Sequence, residues 1–220
     1  MPQIQIEGTS IVLIGFLNPA IFHPSWFAAH NLLRAEEADA ANINIVHPDV
    51  ASFKTEWLEV NVVRERFQIS TVQESQYETL RDIAVGILGL LSHTPIRVMG
   101  INRDFHFDLV TEERWNGLGH RLVPKQDWDP LLNKPGVQTL VVEGVRPDDF
   151  KGYLRVTVQP STRIKYGVFI EVNDHYVLKM DEKEADGANM ARLILSEKWN
   201  ESMNRGSDIA RAIAKIGEQE

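Results

Sequence analysis

The alternation of apolar and polar positions is clearest across residues 66–109. Phe67, Ile69 and Thr71 alternate with Arg66, Gln68 and Ser70, the period-two signature of a half-buried strand. Ser75-Gln76-Tyr77-Glu78 then matches a capping box, in which Ser75 accepts from a first-turn amide and Glu78 reaches back to the cap. Tyr77, Leu80, Ile83, Ala84, Ile87, Leu88 and Leu91 follow at helical spacing on one broad apolar face. Gly86 and Gly89 interrupt this helix at a cost of roughly 1 kcal/mol each against alanine, which predicts close packing of the helix against a sheet. Thr94-Pro95 ends the helix, because proline biases its predecessor away from helical angles. Residues 96–109 then return to strand.

Such a strand–helix–strand unit needs a sheet to cover. The expected class is therefore α+β, with helices packed on a mainly antiparallel sheet. One domain over 1–220 is the expected organisation. The alternative is a subdivision near 111–135 into 1–110 and 136–220, with two sheet halves.

Elsewhere the signals are shorter. Residues 3–16 read as strand with a turn or bulge at Gly8-Thr9, and a helix runs from Pro24 into the acidic, alanine-rich 36–41. Residues 53–63 read as strand, and Arg64-Glu65 as a tight turn into 67–72, which favours an antiparallel meander. The segment 111–135 has no clear period and is expected to be an ordered loop or a border between halves. Strands are expected at 137–145, 153–159 and 163–172, with a hairpin turn at Asn173-Asp174 leading into 175–180. Ala188, Ala191, Leu195 and Trp199 mark a C-terminal helix; Gly206 is expected to break it before a second helix at 209–216. The acidic residues at 181–186 suit the start of that helix, where the dipole favours negative charge.

Composition narrows the function classes. The chain has 220 residues, 43% hydrophobic and 25% charged, an ordinary globular mix that can bury a real core. A formal charge of -8 argues against general nucleic-acid binding, which needs a basic footprint. The chain has no cysteine, which excludes disulfides, thiolate nucleophiles and cysteine-ligated metals. No secretory pattern and no apolar run near the roughly 18 residues of a membrane span are visible. The expectation is a cytoplasmic protein without membrane contact.

The best chemical candidate lies at 102–108. Phe105, Phe107 and Leu109 seek the core, which places Asn102, Asp104, His106 and Asp108 together on the opposite face, with same-face neighbours about 6.6 Å apart. Asp104, His106 and Asp108 are hard ligands suited to a divalent metal ion, or a setting for His106 as general base. A solvated sheet face explains the same pattern with no ligand. Trp26, Phe27, Trp115 and Trp128 are candidates for an interface or for core anchors. There is no Walker A loop, no H-E-x-x-H helix and no G-x-S-x-G elbow.

The leading expectation is accordingly a non-catalytic binding or assembly protein without a cofactor, joining itself as a homo-oligomer or another protein. A metal-dependent hydrolase built on Asp104, His106 and Asp108 is the alternative. A third reading is a small ligand held between the sheet and the segment from Trp115 to Trp128.

Overall fold

The computed structural model describes residues 2–178 and 186–217. Their strands are β1 (Gln3–Gly15), β2 (Asn42–His47), β3 (Val50–Lys54), β4 (Glu59–Val63), β5 (Arg66–Thr71), β6 (Ile96–Asp108), β7 (Leu140–Val145), β8 (Gly152–Pro160) and β9 (Gly167–Val177). All nine belong to one sheet in the order β2-β3-β4-β5-β1-β6-β9-β8-β7, antiparallel throughout. The helices are α1 (Pro24–Ala29), α2 (Ala35–Asp39), α3 (Tyr77–Leu90), α4 (Glu112–Leu122) and α5 (Gly187–Ile216). The chain is thus α+β with an antiparallel sheet, as the alternation predicts. β5, α3 and β6 do follow one another, but β5 and β6 are not neighbours, because β1 lies between them and pairs with both.

Side-chain alternation decides the two faces. Ile11, Leu13, Phe53, Val60, Phe67, Ile69, Met99 and Ile101 turn to one face, where Phe27 of α1, Leu80 and Ile87 of α3 and Leu195 of α5 enclose them. Further along the same face, Phe105, Phe107, Val168, Ile170 and Val172 pack with Leu118 of α4 and Ala210 and Ala214 of α5. Arg103 stands on this face as well. Its guanidinium donates to Glu7 and lies 4.8 Å from the Tyr77 ring and 4.8 Å from the Phe105 ring.

Several local expectations give way to tertiary contacts. α3 starts after a 3-10 turn at Glu74–Gln76; Ser75 lies inside that turn, and no side chain caps the helix. Gly86 and Gly89 face Leu32 and Arg192, neighbours in the helical layer and not the sheet. The helix expected over 24–41 is two short helices, interrupted where Asn31 takes a φ of 56°. The strand expected at 53–63 divides into β3 and β4 around a turn in which Leu58 N–H donates to Thr55 Oγ1 at 3.0 Å. Gly8-Thr9 runs straight through β1, whose register shifts against β6 fall between Ile4 and Ile6 and between Ile14 and Gly15.

The second part of the chain departs further. The segment 111–135 contains α4, capped by Thr111 Oγ1 accepting from Arg114 N–H at 3.3 Å. Asn173-Asp174 is not a turn but the middle of β9, paired with Asn102 and Ile101. Gly206 does not break α5, which runs unbroken for 30 residues. A Cβ at Gly206 would stand 2.9 Å from Arg103 Cγ, so the glycine is there to let α5 approach the buried arginine. The acidic residues at 181–185 and the end of the strand expected over 175–180 lie outside the described residues.

Candidate functional site

β6 carries Asn102, Asp104, His106 and Asp108 on the sheet face turned away from the helices. Its two neighbours complete a polar strip there. Ser10 and Gly8 of β1 lie opposite Asn102 and Asp104, and Asn173, Glu171 and Phe169 of β9 lie opposite Asn102, Asp104 and His106. Asn102 Nδ2 donates to Ser10 Oγ at 3.0 Å, and Asn173 Nδ2 donates to Asn102 Oδ1. Gly8 leaves the room that the Asp104 carboxylate occupies, since a Cβ there would be 2.9 Å from Asp104 Oδ2.

The charges on this strip are perturbed for identifiable reasons. Burial pushes the Asp104 carboxyl up, against the pull of Arg103 and Arg163. Burial also pushes Glu171 up, and the neighbouring Asp104 adds to it. His106 is lowered by burial and by Arg163. Its Nδ1 lies 2.8 Å from Ser161 Oγ, and its ring packs tilted against Phe169, with centroids 5.0 Å apart. Asp108 turns to its own backbone, its Oδ1 accepting from Val110 N–H at 2.7 Å and holding that residue at a φ of 72°. Asp104, His106 and Asp108 therefore share a face, but His106 turns to Ser161 and Asp108 to its own backbone, and neither turns to Asp104. Among the described residues no group of three or more His, Cys, Asp or Glu is placed to hold a metal ion. What the strip offers is hydrogen-bonding groups repeated at the strand spacing of about 4.8 Å.

The four aromatic candidates do not converge on one surface. Phe27 is fully buried, 5.2 Å from the Phe53 ring, and is core, which corrects its reading as a contact residue. Trp26 is partly buried and packs on Phe22, Phe27 and His30. Trp115 anchors α4 to the sheet, its Nε1 donating to Gly167 O at 3.1 Å. Trp128 is the exposed one, at 46%.

Each of the two edge strands shows three exposed apolar side chains. β2 shows Ile43, Ile45 and Val46 to solvent, and β7 shows Val141, Val142 and Val145. Their backbones differ: β2 shifts register between Ile43 and Ile45, while β7 pairs with β8 without a shift. Pattern reading placed a strand at β7 but not at an edge. A signal was present, because Leu140-Val141-Val142 is apolar at consecutive positions, the pattern of a strand covered on both faces. β2 carries only the weaker Asn-Ile-Asn-Ile alternation, and no strand is expected there from the pattern. No protein-family model matches the chain, and no curated protein matches it.

Proposed function

We propose that this chain is a non-catalytic assembly protein acting through protein–protein contacts, and that it forms a homo-oligomer by pairing the β7 edge of one copy with that of another. The observation that carries the reading is the character of β7. It is a regular edge strand free of proline and bulges, with Val145 exposed to 91%. Natural sheets blunt such edges, since unpaired N–H and C=O groups beside apolar side chains invite another strand. β2 is blunted by its bulge and its asparagines. β7 has one charge, Glu143, and it is already held by Arg155 at 2.7 Å.

Chain order supports the same reading. Outward from the β1–β6 pair, one side runs β5, β4, β3, β2 and the other β9, β8, β7. Each side is laid down as a long strand, a helical segment, a meander moving inward and a closing helix. We read these as two similarly built halves. On that reading β7 corresponds to β3, and β3 is covered by β2 while β7 has no counterpart of β2. A two-fold pairing of β7 with itself supplies the missing cover and uses the same patch on both copies. A cytoplasmic setting belongs to this proposal and rests on the cysteine-free composition.

Light scattering and native mass spectrometry across nanomolar to micromolar concentration test it. The expected result is a concentration-dependent doubling of the 25.0 kDa mass. A single mass of 25.0 kDa at every concentration overturns the self-pairing.

A further inference from the structure

The chain between α4 and β7 folds back over α4 and bounds two adjoining cavities. The inner one, about 100 Å³, is walled mainly by Trp115, Leu118, Leu122, Val158 and Val168. The outer one opens beside Trp128 and Leu132, and the two share Lys125 and residues 135–137. Gly119 of α4 and Gly136 line the inner cavity, and a Cβ on either would meet nothing within 4 Å. The space is therefore open at two of its walls.

Lys125 is the charged residue common to both cavities, and it is only 8% exposed. Lysine is almost never this buried unless paired. Among the described residues its side chain has no hydrogen bond or ion pair, even with the nearby Asp127 and Asp129. Among the described residues the fully enclosed side-chain polar atoms without partners are Tyr77 Oη, Arg103 Nε, Asn173 Oδ1 and His175 Nδ1. The Lys125 ammonium is not one of them, so it keeps some exposed surface, and Lys125 lines both cavities. An apolar chamber with one convergent cation is the usual make-up of a small-molecule site.

We propose that this chamber binds a small amphipathic monocarboxylate, its apolar body against Trp115 and Leu118 and its carboxylate on Lys125. The size limit follows from volume: the inner cavity, about 100 Å³, is below the roughly 150 Å³ of a cavity that accepts benzene, so the head group of a benzene-sized ligand must extend into the outer cavity. A single ring or a short alkyl chain fits, with the head group toward the outer opening. The charge limit follows from position. Lys125 comes just after the C-terminal end of α4, where the helix dipole is negative, so one ammonium balances a monoanion and not a phosphate dianion. This goes beyond the assembly reading and does not depend on it.

Calorimetry and tryptophan fluorescence with phenylacetate and hexanoate are the test, with phenylacetamide and hexanamide as uncharged counterparts. Saturable one-to-one binding of at least one acid is expected, with its amide weaker by about tenfold or more. Lys125→Met should abolish the preference for acid over amide, and Lys125→Arg should keep it. Gly119→Leu should fill the chamber and remove binding of acid and amide alike, while leucine in a helix keeps the fold, as circular dichroism would report. Failure of both acids to saturate in the millimolar range overturns the site. So does an amide that binds as well as its acid, or a Lys125→Met variant that still prefers the acid, or a folded Gly119→Leu variant that binds as before.

Discussion

Asp104 and Glu171 sit directly across from each other on β6 and β9, two carboxylates side by side with no ion pair to either among the described residues. Burial disfavours the charged form of each, and the charge of Asp104 adds to the cost at Glu171. Both groups therefore have folded-state pKa values above their unfolded ones. Below the ordinary carboxylate range both are protonated in either state and the penalty is absent. As pH rises through the folded values, stability is lost. Glu171→Gln should melt higher than the parent protein at pH 7, with the difference closing below about pH 4. A thermal melt at both pH values checks the sign.

Histidine acts in the opposite direction on the acid side. His106 and His175 are both lowered, first by burial and then by Arg163 and Arg155 respectively. A lowered histidine contributes its full stability above the unfolded pKa of about 6.5, and this is lost as pH falls below that value through the folded one. The His106→Gln variant should lose less stability than the parent between about pH 7 and pH 5. Glutamine keeps a hydrogen-bonding group toward Ser161, so a steeper fall in the variant would contradict the account.

A buried ionic cluster fastens the β7–β8 connection to α5. The Arg146 side chain is fully buried and donates to Asp148 at 2.6 Å and to Asp174. Asp174 also accepts from Ser202 at 2.7 Å and from Arg205 at 3.1 Å. Burial works against the Arg146 charge, but Asp148 and Asp174 outweigh it and raise its pKa. Removing Arg146 takes its cation from Asp148 and Asp174 and leaves Arg205 to serve both, so Arg146→Met should cost about 3–5 kcal/mol. The exposed Lys54–Glu59 pair, at 2.9 Å, should cost no more than about 1 kcal/mol when Lys54 is replaced by Met. Urea unfolding of the two variants separates the cases.

The same cluster explains why parts of the fold were illegible from pattern alone. Asn173-Asp174 has turn chemistry, yet Asn173 bonds across the sheet to Asn102 and Asp174 is pinned by Arg146. Those partners are distant in sequence and override the local preference. α4 was hidden for a different reason: Trp115, Leu118 and Leu122 have helical spacing, but Gly117 and Gly119 between them weaken it. The polar face of β6 was readable because Phe105 and Phe107 fix the alternation locally. What stands opposite that face, Gly8 on one side and Glu171 on the other, depends on strand order, which period-two patterning does not encode.

Helical glycines give a paired test of close approach. Replacing glycine by alanine in an open helix gains about 1 kcal/mol. Gly119→Ala should show a gain of that kind, since nothing lies within 4 Å of its Cβ position. Gly206→Ala should destabilise, because the new methyl meets Arg103 Cγ at 2.9 Å and that arginine is wedged between Tyr77 and Phe105. Opposite signs in denaturant midpoints are expected, and a gain at both positions would mean that Arg103 moves aside freely.

The edge strands supply the most discriminating test of assembly. If β7 is the pairing edge, Val142→Lys places a charge in the contact and should shift the chain to monomer without loss of fold. Val142 is already 55% exposed, so the lysine costs the isolated chain little. The matching change on the other edge, Ile43→Lys, sits beside the β2 bulge and should leave the oligomer unchanged. Loss of assembly with Ile43→Lys but not Val142→Lys would move the contact to β2. Assembly that survives both would place it away from the sheet edges altogether, and the reading of β7 as a half-covered counterpart of β3 would fall with it.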